Sequence, residues 1–405
     1  MRPYRIKSMS AMKKKIALII ERADIALGGA ERSVFELATA LTDRGLNVDV
    51  IAAKGQKNAK SIHILCPKSP GKRTCYFTFA KALKKHLSEN HYDIIHSVLP
   101  FDFVDVYQPR GGSFAESILR NAASYQNKLV TSYKKMTAFA NLRRTTLLQA
   151  ERKLCKNSNG PVIIALSDYV AEQFKRHYGA SDEQLTVIPN GIKLNKRIDT
   201  NQADRLRTQI FTQLGLKEAD KPVFFLFVAN NFRLKGLSVL IQAMRCLQAH
   251  NTAGQWFLIV AGSSRVHKYR QLAKKLNVPR KIIFLGPVRN IQNVLSIADV
   301  AVLPTFYDPS SRFVLEAIAA NKPVITTKFN GATDLFVENR HGKVIDKPEN
   351  VPALAQAMSY FTNTDNIHRI SEAIIADNIK EKICISRVAE QMDSLYESIL
   401  EKRGK

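Results

Sequence analysis

Short, nearly continuous apolar runs alternate with amphipathic helical patterns along almost the whole chain, and they do so in two separate series. KIALII, VDVIAA, DIIHSVL, PVIIALS and LTVIPNGI mark strands of the first series; PVFFLFVA, WFLIVAG, KIIFLG, VLSIADVAVLP and PVITT mark those of the second. A strand that is apolar on both faces needs cover on both faces, as in a parallel sheet flanked by helices. The intervening segments supply those helices. ERSVFELATALTDRG puts Val34, Leu37, Ala38 and Leu41 on one side and closes at Gly45, while SDYVAEQFKRHYG opens at Ser167 or Asp168 and stops at Gly179. Residues 192–220 are polar and strandless, a linker followed by a helix. At 405 residues the chain has room for two domains. The expected fold is therefore α/β, with two doubly wound, Rossmann-like domains (residues 1–195 and 196–380) facing each other across a cleft. Residues 381–405 read as a C-terminal helix. The stripe Ile379, Ile383, Val388, Met392, Leu395 and Ile399 lets it pack back on the N-terminal domain.

Lys and Arg outnumber Asp and Glu by 61 to 35, a net charge of +26. That excess points to a polyanion: nucleic acid, an anionic membrane surface or a phosphorylated substrate. No helix-turn-helix, zinc-finger, RNP-like or KH-type pattern accompanies the charge, so nucleic acid is not expected as a partner. Five cysteines lie far apart with no C-x-x-C, the pattern of reduced thiols. The opening MRPYRIKSMSAMKKKIALIIERAD is basic and then apolar, but its apolar run is one strand long before Glu21 and Arg22. No window approaches the roughly 18 apolar residues of a membrane span. The expected location is cytoplasmic, with any membrane contact peripheral.

The densest chemistry lies in FYDPSSRFVLEAIAANKPVITT. Asp308 and Glu316 bracket a turn that opens a helix, and Asp308-Pro309-Ser310-Ser311 is a sound helix start. The free amides from Ser311 through Arg312 to Phe313, at the positive end of the helix dipole, suit a diphosphate. Glu316, on the first turns, is placed for sugar or ribose hydroxyls; the competing reading is a capped helix with a surface carboxylate. The block resembles the E-x7-E region of family 4 retaining glycosyltransferases of the two-Rossmann (GT-B) type. The resemblance implies that Asp308 faces the transferred sugar and that Glu316 binds the nucleotide ribose. Here the first carboxylate is Asp rather than Glu, and Ser311 stands at the usual glycine.

Further blocks match in order from about residue 14 to 345. GGAERSVFELATAL brings Gly28 and Gly29, whose missing Cβ atoms admit a phosphate or sugar to the backbone. FVANNFRLKGLSVLIQAM brings Lys235 to the position of a diphosphate-binding lysine, with Arg233 replacing an arginine whose usual place falls on Asn230. VAGSS at Gly262, FLGPV at Val288 and FNGATD at Gly331 correspond to loops lining the donor pocket. By this resemblance the N-terminal domain binds the acceptor and the C-terminal domain binds a nucleotide-sugar, with a UDP-hexose expected, and transfer is with retention at the anomeric carbon. No D-x-D pair occurs, so neither a metal nor another cofactor is expected.

HSVLPFDFVDVYQPRGGSFAE resembles the acceptor side of the lipopolysaccharide core glucosyltransferase subfamily, which implies a catalytic Asp105 near the acceptor hydroxyl; a capping aspartate is the alternative. From Lys128 to Lys156 there are eight basic residues against the single acid Glu151. Leu129, Tyr133, Met136 and Ala140 form a stripe, with Phe139, Leu147 and Leu148 nearby. This is the composition of an interfacial helix, with Lys128, Tyr133, Lys134, Lys135, Arg143 and Arg144 meeting an anionic membrane surface. A core helix with a basic outer face is the competing reading. The expected acceptor is a membrane-associated glycolipid, foremost lipopolysaccharide core oligosaccharide, with another cell-surface polysaccharide or lipid-linked oligosaccharide as the alternative.

Overall fold

The computed structural model describes residues 14–71, 73–194, 197–249 and 254–404. The expected domain boundary at 195/196 and the first part of the basic N-terminus lie outside these residues. Two all-parallel sheets form. The first contains β1 (Lys15–Ala23), β2 (Asn47–Gly55), β3 (Ile62–Ile64), β4 (Ile94–Ser97), β5 (Val106–Tyr107), β6 (Val162–Ala165) and β7 (Leu185–Val187), in the order β3-β2-β1-β4-β5-β6-β7. The second contains β8 (Val223–Ala229), β9 (Trp256–Gly262), β10 (Ile282–Gly286), β11 (Val300–Leu303), β12 (Val324–Thr327) and β13 (Gly342–Ile345), in the order β10-β9-β8-β11-β12-β13. Central strands are apolar on both faces because helices cover both: Phe225, Leu226 and Phe227 of β8 are all fully buried. Chain order reverses between β1 and β4 and again between β8 and β11. These are the switch points where a crevice opens beyond the carboxyl ends of the strands.

Local differences from the sequence reading have tertiary causes. β1 runs on through Glu21 and Arg22 to Ala23. Glu21 is buried there because Arg73 (2.7 Å) and Arg143 (2.8 Å) neutralise it, and Arg22 pairs with Glu31 at 2.9 Å. The basic stretch is not one helix. It is Lys128–Met136, a 3-10 turn at Thr137–Ala140, and Leu142–Lys156 capped by Asn141. The first piece buries none of its residues, whereas the second packs Leu147, Glu151, Leu154 and Cys155 inward. Glu151 accepts hydrogen bonds from Tyr107 (2.7 Å), the Phe114 amide (2.7 Å) and Tyr178, which fixes that helix to β5. The Phe139 side chain lies outside the described residues.

The C-terminal segment also breaks in two. Ile379 and Ile383 join the core of the second sheet, while Val388, Met392 and Tyr396 of the Ile385–Arg403 helix join the core of the first. Between them Cys384 bridges Ile192, with Ile192 N donating to Ile383 O and Ile385 N to Ile192 O. The two chain crossings between the halves thus run side by side. A Cβ at Gly191 would lie 2.7 Å from Ile385 Cα, so this approach requires glycine. Tyr396 OH meets His96 Nδ1 at 2.7 Å inside the first core, tying the terminal helix to β4.

Candidate active site

The cleft is walled by loops from the carboxyl ends of both sheets. On one side the chain leaves β1, turns through Ile25–Leu27 and starts the Gly29–Asp43 helix, with Gly28 as its N-cap. On the other, β11 leads into Pro304–Ser311 and the Arg312–Ala319 helix, capped by the Ser311 hydroxyl on the Val314 amide. The turn before that helix is held from several directions. Asp308 N donates to Phe329 O (2.8 Å), Gly331 N to Asp308 O (2.9 Å), and Ser311 N to the buried Asn330 Oδ1 (3.1 Å). From the first half, Ser167 Oγ donates to Pro309 O at 2.8 Å and Asn190 Nδ2 to Ser310 O at 2.9 Å. Such cross-bracing pre-positions the Arg312 and Phe313 amides, which helix geometry leaves without intrahelical partners.

Two charged constellations occupy this wall. Lys235 Nζ lies 2.6 Å from Asp308 Oδ2 and 2.8 Å from Tyr307 O. Arg312 Nε lies 3.1 Å from Glu316 Oε1, while its NH2 group crosses the cleft to Glu36 Oε2 at 2.7 Å and NH1 meets Ser33 Oγ at 3.4 Å. A Cβ placed on Gly29 would lie 3.7 Å from Arg312 Cδ, and one on Gly28 would lie 3.9 Å from Asn230 Nδ2. Gly28 and Gly29 therefore sit between Asn230 and Arg312, facing the second half. The structure brings together Gly28, Gly29, Lys235, Asp308, Ser311, Arg312, Phe313 and Glu316. It also adds Glu36 and Asn330, which the sequence reading missed. Glu36 was legible by spacing, because Gly29, Ser33 and Glu36 fall on one helix face.

Other expected site residues stand elsewhere. Asp105 is a correction. It precedes β5, so it lies at the amino end of the parallel strands, opposite the cleft. Its Oδ2 accepts from the Ile95 amide at 2.7 Å and its Oδ1 from Arg403, so it fastens β4 and the terminal helix. Arg233 does not join Lys235 on this wall. Its guanidinium donates to Asn121 O (2.8 Å) and Ser124 Oγ and stacks 3.8 Å from the Tyr125 ring centroid, clasping the Phe114–Ala123 helix of the first half. Burial there pushes its pKa down. Gly262 has φ +118°, and a Cβ would come 2.0 Å from Ala229 O, so it serves the close β8–β9 approach. Val288 is half-buried after β10 and packs on the second core. Among the residues expected to meet a membrane, Arg143 is corrected: it turns inward to Glu21 and to Thr74 O (2.8 Å), and burial lowers its pKa. Lys128, Tyr133, Lys134 and Lys135 remain exposed, and Arg144 is half-buried. No helix of the described residues is long and apolar enough to cross a membrane.

The comparisons with known proteins agree with this geometry. Residues 27–196 match the Glycosyltransferase Family 4 model and residues 209–380 the model of Glycosyl transferases group 1. The lipopolysaccharide glucosyltransferase WaaG of Escherichia coli K12 is 23% identical over 330 residues, 79% of this chain and 82% of WaaG. A WaaG crystal structure shares the fold with TM-score 0.73 at 21% identity, covering 94% of this chain and 99% of that one. Anabaena HepE, crystallised with UDP-glucose, shares it with TM-score 0.68 at 17% identity, covering 95% and 99%. The chain belongs to the GT-B glycosyltransferases, with a family 4 half carrying Gly28 and Gly29 and a group 1 half carrying Lys235, Asp308 and Glu316.

Proposed function

We propose that this glycosyltransferase moves a hexose from a UDP-sugar, with retention and without a metal, to an anionic glycolipid at the inner face of the cytoplasmic membrane. The proposed acceptor is lipopolysaccharide core oligosaccharide. The observation that carries the donor reading is the Lys235–Asp308 pair beside the Arg312–Phe313 amides, opposite Gly28 and Gly29. In the transfer step the bond from the anomeric carbon to the donor phosphate oxygen breaks, and the acceptor oxygen bonds to the same face. The acceptor proton passes to the departing phosphate. Lys235 and the helix amides neutralise the negative charge that grows on the diphosphate, Asp308 orients the sugar, and Glu316 accepts from ribose hydroxyls.

The acceptor reading is supported by WaaG's name and by the Lys128–Met136 helix. Its Leu129, Tyr133 and Met136 are 82%, 59% and 77% exposed, beside Leu142 at 83%. Such a face, rimmed by Lys128, Lys134 and Lys135, suits an anionic leaflet, where each cation contributes on the order of 1 kcal/mol. Calorimetry across UDP-, GDP-, ADP- and CMP-sugars tests the donor half: heat with a UDP-hexose is expected, and no heat with any of them refutes the site. Transfer of labelled hexose to purified core oligosaccharide tests the acceptor half.

A further inference from the structure

Beside the cleft lies a cationic site that the proposed transfer chemistry does not use. Glu116, almost fully buried on the Phe114–Ala123 helix, gathers three side chains: Arg120 Nε at 2.6 Å, Arg176 NH2 at 2.7 Å and His177 Nε2 at 2.7 Å. Burial pushes the carboxyl pKa up, but the His177 and Arg120 hydrogen bonds outweigh it and hold the group below its ordinary value. Above this carboxylate opens a cavity of about 260 Å³, lined also by Lys135 and Leu119. One carboxylate faces two guanidiniums, an ammonium and an imidazole, so positive charge is left over. Each arginine commits a single nitrogen to Glu116, whereas a guanidinium carries five N–H donors. The cavity also adjoins the chemistry: the Arg120 guanidinium stacks 3.8 Å from the Phe329 ring centroid, and Phe329 O accepts the Asp308 amide.

We propose that this pocket binds a phosphate monoester carried by the acceptor glycolipid outside its reacting sugar, and so selects phosphorylated acceptors and fixes their direction in the cleft. Arginine pairs held in a fixed fork recognise phosphate by bidentate geometry as well as charge. The pocket's position on the acceptor half, one ring away from Asp308, suits a group several bonds from the reacting hydroxyl. The inference rests on the reading that the acceptor is an anionic glycolipid.

The test compares delipidated core oligosaccharide with the same material after phosphatase treatment, using the full-length enzyme and UDP-glucose. The native chain is expected to show kcat/KM roughly tenfold higher on the phosphorylated acceptor, the loss of one charged contact. Arg176→Ala, at a half-exposed side chain whose loss leaves Glu116 bonded to Arg120 and His177, should abolish that preference. Arg176→Lys should keep part of it, and UDP-glucose binding should be unchanged in both. In parallel, titration with inorganic phosphate should shift the His177 imidazole resonances of the native protein and not those of Arg176→Ala. Equal kcat/KM on both acceptors, an unchanged preference in Arg176→Ala, or no His177 response to phosphate overturns the proposal. So does an Arg176→Ala loss of binding to anionic vesicles lacking acceptor, which would assign the pocket to head groups. Transfer to neither oligosaccharide, with the His177 response intact, refutes the acceptor reading and with it the glycolipid as the source of the phosphate.

Discussion

Replacing Lys235 by Ala isolates the charge that the proposed donor site supplies to the leaving group. The Lys235 side chain is 19% exposed, and its ammonium sits 2.6 Å from Asp308 Oδ2, in a wall shared with the Arg312–Ala319 helix N-terminus. A unit charge about 4 Å away in such a partly buried site interacts with about 4 kcal/mol at an effective dielectric near 20. Roughly one further negative charge develops on the diphosphate as the glycosidic bond breaks, so the difference between ground and transition states approaches that figure. Removing a single preorganised donor typically costs about 3–4 kcal/mol, a loss of some 10²–10³ in kcat. Because the charge grows during the step, kcat should fall much more than the UDP-sugar KM rises. Lys235→Arg, which keeps the charge, should recover a good part of the rate. Steady-state transfer kinetics, with melting curves to establish folding, measure all of this. Should Lys235→Ala fold normally and turn over within about threefold of the native rate, the assignment of Lys235 to the leaving group is wrong.

Asp105→Ala should leave kcat/KM within about twofold but lower the unfolding free energy in urea by about 1–3 kcal/mol, since it strips a partner from the Ile95 amide and from Arg403. His96 is pushed down to about 3 from its ordinary 6.5, by burial first and by Arg110 second. Its unfolded form therefore binds more protons between those values, so stability present above pH 6.5 drains away as pH falls toward 3, with a slope near 1.4 kcal/mol per pH unit at most. Acid titration of the melting temperature should show that slope, and His96→Gln should flatten it. The triple change Leu129→Ser, Tyr133→Ser and Met136→Ser should abolish co-sedimentation with anionic vesicles while leaving UDP-glucose binding intact. Native binding that is equal on neutral vesicles, or unmoved by high salt, contradicts the interfacial reading.

The fold was legible because hydrophobic period and strand composition are properties of single segments. The crevice was legible because its first carboxylate, its helix start and its glycine pair sit in contiguous blocks. What was not legible depends on pairing across the chain. Glu21 looks like the end of a strand until Arg73 and Arg143 arrive from distant positions to neutralise it. Arg143 looks like part of a basic surface for the same reason. Arg233 shares a loop with Lys235, yet it is turned toward Tyr125, and no local pattern announces a stacking partner more than a hundred residues away. Asp105 is a different case: the two-residue strand that follows it is too short to show a hydrophobic period, and the sequence reading marked no strand there. A residue immediately before a parallel strand lies at the strand's amino end, and doubly wound sheets bind ligands at the other.

The charges of the site bear on the chain's strong basicity. Lys235 is matched by Asp308, and Arg312 lies between Glu316 and Glu36, so this wall of the cleft carries no positive excess. A donor diphosphate bound there as proposed would meet helix amides and one ammonium already engaged by a carboxylate, an arrangement that favours exchange of partners over capture by bulk charge. The net +26 must therefore be spread over other surfaces. Part of it converges on Arg120, Arg176 and Lys135 around one cavity, and part on Lys128 and Lys134 around an apolar helix face with no buried residue. Both lie on the N-terminal half, the proposed acceptor side. On the proposed function, the distribution separates two tasks that composition alone merges: local, balanced charge beside the donor, and surplus charge for an anionic acceptor.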